Sequence, residues 1–66
     1  MNLTIRYENL PEESYNYLRG KLGPYEVYFF RNHPFTTLTV TTDMKEIIKI
    51  LLVTSQFKHQ DLVLRQ

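Results

Sequence analysis

The 66-residue chain has no cysteine, only two glycines and three prolines, and no marked excess of either charge. Without cysteine there is no disulfide to staple the fold. Only His33, His59 and carboxylates remain as zinc ligands, which argues against a tetrahedral structural site. A chain of this size buries only about 60% of the surface its unfolded form exposes. Small domains offset that with disulfides, a metal or oligomerisation. A well-packed core or self-association is therefore the expected source of stability.

Long apolar runs are absent as well. The longest aliphatic stretch, Ile50 to Val53, is far too short to cross a bilayer, so no membrane partner is expected. The segment Met1 to Arg6 lacks the basic start and apolar run of a secretion signal. Lack of cysteine fits a reducing compartment, and the expected location is cytoplasmic.

Eight basic residues against seven acidic ones leave a net charge of +1. Glu12, Glu13, Asp43 and Glu46 fall at expected helix starts, and Arg19, Lys21 and Lys58 near helix ends, the pattern that complements the helix dipole. No basic run or stripe is present, which argues against a strong nucleic-acid binder.

What is present is periodicity. Leu3, Ile5 and Tyr7 alternate with Thr4, Arg6 and Glu8 and predict a strand with one apolar face. Asn9 as N-cap and Pro11 in the first turn predict a helix to about Leu22, with Tyr15, Leu18 and Leu22 on one face. Gly23-Pro24 is the expected stop, with the glycine left-handed. Tyr25 to Arg31 and Thr36 to Thr42 read as two strands of a hairpin around Asn32-His33-Pro34. A loop of even length sets Phe29 opposite Leu38 and Val27 opposite Val40, matching apolar faces; an odd loop would set them against threonines.

Asp43 and Glu46 resemble a capping box and open a second helix. Its apolar stripe is expected to comprise Met44, Ile47, Ile48, Leu51 and Leu52, joined by Ile50, Val53 and Phe57. After polar Lys58 to Asp61, Leu62 to Leu64 can form a short final strand. The expectation is one α+β domain over residues 1–66, of order β-α-β-β-α-(β). Its antiparallel sheet would carry two helices on one face, the ferredoxin-like order. Such a fold carries no function by itself.

Catalytic constellations are lacking. His33 sits in a turn and His59 just past a helix, and neither has a second ligand at helical or hairpin spacing. Ser14 and Ser55 lie in no nucleophile elbow. Glu12 and Glu13 are adjacent and so do not face each other on a helix. Gly20 and Gly23 make no phosphate loop. Neither an enzyme nor a cofactor or metal is expected.

The remaining signal is the sheet face away from the helices: Thr4, Arg6, Glu26, Tyr28, Phe30, Thr37, Thr39 and Thr41. Solvent-facing sheet surfaces ordinarily carry more charge than this, and aromatics are enriched at interface cores. Tyr28 and Phe30 are the candidate anchors for a protein partner, with Arg6, Thr37 and Thr39 in support. A second copy is one such partner, met through this face or an edge strand, so a homodimer is expected. The alternative is a single-stranded nucleic-acid binder that stacks bases on Tyr28 and Phe30, with Arg6, Arg31 and Arg65 near the backbone. Val27 to Arg31 lacks the basic-Gly-aromatic pattern of an RNA-recognition strand.

Overall fold

Alternation in the first segment places Leu3, Ile5 and Tyr7 in the core and their neighbours on the outer face. The computed structural model describes residues 1–66 and runs β1 (Asn2–Glu8), α1 (Glu12–Leu22), a 3-10 turn (Gly23–Tyr25), β2 (Tyr28–Asn32), β3 (Phe35–Thr41), α2 (Met44–Thr54) and β4 (Asp61–Arg65). This is the expected β-α-β-β-α-β order, with the final strand present. Strands lie in the order β2-β3-β1-β4, and every neighbouring pair is antiparallel. β1 and β2 are therefore parallel with β3 between them, and β3 and β4 are parallel with β1 between them. A right-handed crossover for each pair puts α1 and α2 on the same face. Between helices and sheet lies one core, formed by Leu3, Ile5, Tyr7, Leu10, Leu18, Leu22, Leu38, Val40, Ile47 and Ile50.

The hairpin has the even loop. Asn32 pairs with Phe35, leaving His33-Pro34 as the two loop residues, and Phe29 stands opposite Leu38. β2 begins later than Tyr25, because Gly23 to Tyr25 coil into the 3-10 turn and Val27 stops short of the strand. The stop also works differently from the expectation. Gly23 is right-handed at φ −51°, Pro24 takes the early position that suits its fixed φ, and Glu26 adopts the left-handed conformation at φ 55°.

Asn9 is not the cap of α1. It is left-handed at φ 58°, which asparagine tolerates better than most residues, and its N–H donates to the Pro34 carbonyl at 2.7 Å. Pro11 occupies the cap position without a side-chain bond, and Glu12 and Glu13 supply the negative charge that a helix start favours.

α2 does begin at a side-chain cap: Asp43 accepts from the Glu46 N–H at 3.0 Å. Replacing Asp43 by alanine is expected to cost about 1 kcal/mol in urea unfolding, and by asparagine much less. Equal losses for the two would show that the cap bond contributes nothing.

The phase of α2 departs from the expected stripe. Ile47, Ile50 and Thr54 are buried and Leu51 and Val53 partly so, whereas Met44, Ile48 and Leu52 are exposed. The apolar arc of this helix is wider than the surface beneath it. α1 packs along one flank, where the Tyr17 and Phe57 rings meet edge-on at 5.8 Å, and the other flank carries the exposed Met44, Ile48 and Leu52.

Candidate functional site

Register sorts the outer face of the sheet into cross-strand rows. One row runs Tyr28, Thr39, Thr4, Val63, and the next runs Phe30, Thr37, Arg6, Asp61. All five residues singled out from the sequence, Tyr28, Phe30, Arg6, Thr37 and Thr39, thus fall in two adjacent rows. Tyr28 is 64% exposed and Phe30 52%, high for aromatic rings on a paired strand. The threonines beside them are half-buried. At one end the Thr4–Thr39–Tyr28 row borders a shallow depression of about 470 Å³ that also reaches Asn2 and Glu26. Glu26 lies in the turn before β2, at the border of the face, and not in a strand.

A third aromatic belongs to the face. Phe35 opens β3 two residues before Thr37 and so points outward with it. A strand that begins at Thr36 leaves Phe35 out, whereas the same alternation extended back by one residue includes it. The Arg6 guanidinium lies 4.7 Å from the centre of the Phe35 ring, a cation–π arrangement, and its Nε is shielded from solvent without a hydrogen-bond partner. Arg6 thus packs against Phe35 on the outer face. At the end of the face the Thr41 hydroxyl donates to Asn2 Oδ1 at 2.6 Å.

Arg31 and Arg65 separate. Arg65 ends β4 on the outer face. Arg31 belongs to the set that faces the helices: it donates to Glu12 Oε1 at 2.8 Å, to the Leu10 carbonyl at 3.2 Å and to the Thr36 hydroxyl at 3.3 Å, and lies 4.3 Å from the Tyr15 ring centre. It clasps the start of α1 to the hairpin, on the opposite side of the sheet from Tyr28 and Phe30.

The ionisable groups do not converge elsewhere. His59 meets the Tyr7 ring edge-on at 6.0 Å, and His33 lies in the hairpin loop. No three His, Asp or Glu side chains are grouped to hold a metal ion. No helix is long and apolar enough to cross a membrane. No protein-family model, curated protein or solved structure matches the chain.

Proposed function

We propose that the protein is a small, non-enzymatic interaction protein of the cytoplasm that docks a protein partner on the open sheet face. The observation that carries this reading is the pair of adjacent rows in which Tyr28 and Phe30 stand exposed beside Thr37 and Thr39. Aromatic side chains bury 150–250 Å² each and dominate interface energetics. Threonines around them supply hydrogen bonds at low conformational cost, and Arg6 lies over the Phe35 ring.

Stacking of single-stranded nucleic acid fits the face less well. The modules that read RNA on a sheet place their aromatics so that two or three bases stack across it. Here the two most exposed rings share the edge strand β2, the third, Phe35 on β3, is covered by the Arg6 guanidinium, and Arg31 lies on the other side.

The test is a comparison of Phe30→Asp and Tyr28→Asp with the unmodified protein, each immobilised and presented with cell extract, then with the purified partner by calorimetry. Both variants are expected to weaken partner binding by at least tenfold while keeping the far-UV spectrum, since central aromatic anchors typically contribute 2 kcal/mol or more. Retention of full affinity by Phe30→Asp would overturn the proposal. So would binding only to single-stranded oligonucleotides, falling steeply with salt as counterion release requires.

A further inference from the structure

β4 is an open edge of the sheet, and its sequence is its own complement: Asp61, Leu62, Val63, Leu64, Arg65. Reversed, it sets an acid against a base at both ends and leucine against leucine between them. The pairing with β1 divides these side chains. Asp61, Val63 and Arg65 lie beside Arg6, Thr4 and Asn2 on the outer face, and Leu62 and Leu64 lie beside Ile5 and Leu3 on the helix side.

The backbone parity is also determined. Met1 and Thr42 exchange hydrogen bonds at 2.6 and 2.9 Å, one step beyond the Asn2–Thr41 pair, so odd-numbered β1 residues turn their peptide groups toward β3 and even-numbered ones toward β4. Thr4 and Arg6 are therefore hydrogen-bonded to Val63 and Asp61, and the Gln60 N–H donates to the Arg6 carbonyl as well, at 2.8 Å. The N–H and C=O groups of Leu62 and Leu64 point away, into the open edge.

Above that edge lies the uncovered flank of α2. Met44, Ile48 and Leu52 recur every fourth residue and are 46%, 51% and 71% exposed. At 100° per residue they fall on the flank opposite Phe57, which meets Tyr17 of α1, and because α2 connects β3 to β4 across β1, the flank away from α1 is the β4 side. Leu62 and Leu64, though turned toward the helix layer, remain exposed. The apolar surface is continuous in character from the edge strand up to the helix.

We propose that the protein forms a two-fold dimer by antiparallel pairing of β4 with β4 of a second copy, centred on Val63. In that pairing Leu62 faces the copy's Leu64, and their outward peptide groups satisfy one another in both directions. Asp61 faces the copy's Arg65 on the outer face, and Arg65 faces the copy's Asp61. Met44, Ile48 and Leu52 from both copies close over the leucine pairs from the helix side. The interface is isologous, so it closes at two copies.

Charge selects this occupant. A parallel in-register pairing would set Asp61 against Asp61 and Arg65 against Arg65, and like charges directly opposite are destabilising. A shift by two residues would leave one charge of each strand opposite Val63. The dimer leaves Tyr28 and Phe30 free, because β2 is the opposite edge of the sheet.

The experiment is native mass by light scattering after size exclusion, over a range of protein concentrations, with two charge variants. The unmodified chain is expected at twice its 8.0 kDa mass. Asp61→Arg alone and Arg65→Asp alone each set like charges together at both ends of the pairing and are expected to raise the dimer Kd about tenfold or more. Mixed in equal amounts, the two variants restore both ion pairs and are expected to form a heterodimer as tight as the original. Phe30→Asp is expected to leave the dimer mass unchanged. A monomer at every concentration, unaltered dimers from both single variants, or failure of the mixture to recover would each overturn the proposal. Dissociation by Phe30→Asp would move self-association to the open face and likewise overturn it, without touching the docking reading above.

Discussion

Replacing Ile47 by alanine is expected to destabilise the domain by about 2–5 kcal/mol, whereas the same change at Ile48 should stay within about 0.5 kcal/mol. The two residues are chemically identical neighbours on α2 and differ only in what covers them. Ile47 is 0% exposed and packs into the core between the helices and β1, and Ile48 is 51% exposed on the open flank. Truncating Ile47 removes buried methyl groups and leaves a cavity, whose cost falls within that range according to how far the site relaxes. At 0.05–0.15 kcal/mol per residue a chain of this length holds only about 3–10 kcal/mol of stability, so the loss is a large share of the total. Urea unfolding at low protein concentration, where association does not contribute, reads the monomer directly. On the proposed β4 dimer, raising the concentration should stabilise the unmodified protein by mass action and Ile48→Ala less. Comparable losses at both positions would mean that α2 is rotated about its axis from the orientation described.

That contrast also marks where sequence reasoning reached its limit. The strands of the hairpin and β1 were legible because alternation has a period of two, and only one register joins Phe29 to Leu38 and keeps Leu3, Ile5 and Tyr7 on the core side. The same parity placed Tyr28, Phe30, Arg6, Thr37 and Thr39 together on the outer face. A helix gives a weaker constraint. Periodicity shows how wide the apolar arc of α2 is, but which part is covered depends on where α1 and β4 stop, and that is a property of the assembled layers. Periodicity alone therefore groups Met44, Ile48 and Leu52 with Ile47. Turn chemistry failed for a local reason. Gly23 and Asn9 both tolerate a left-handed backbone, yet only Asn9 uses it, and Glu26 takes the strained position between the 3-10 turn and β2. Arg31 read as a surface cation because its ties to Glu12, Leu10 and Thr36 join segments distant in sequence.

Tyr7 should make the domain lose stability in alkali in a way that Tyr7→Phe abolishes. Its ring is fully buried at the end of β1, and its hydroxyl donates to the Thr54 carbonyl, in the last residue of α2, at 3.2 Å. Burial pushes this hydroxyl from 10.0 up to about 12. Because the folded value is the higher one, the unfolded chain releases the proton first. The contribution of the neutral phenol is thus complete below pH 10 and is lost as pH rises through 12. Between pH 9 and 11 the loss amounts to about 1.4 kcal/mol, from the two-unit separation of the folded and unfolded values. At neutral pH Tyr7→Phe should be less stable than the unmodified protein by about 1 kcal/mol, the net worth of one buried hydrogen bond. The deficit stays modest because the Thr54 carbonyl keeps a second donor, the Phe57 N–H at 3.2 Å, and is not orphaned. The variant has no phenol at this position to titrate, so the two stability curves should converge above pH 10 and cross near pH 11. Other tyrosines and lysines titrate in both proteins and cancel in the difference. A gap that stays constant from pH 7 to pH 11.5 would show that Tyr7 ionises as readily in the fold as outside it, and that the junction between β1 and α2 admits water.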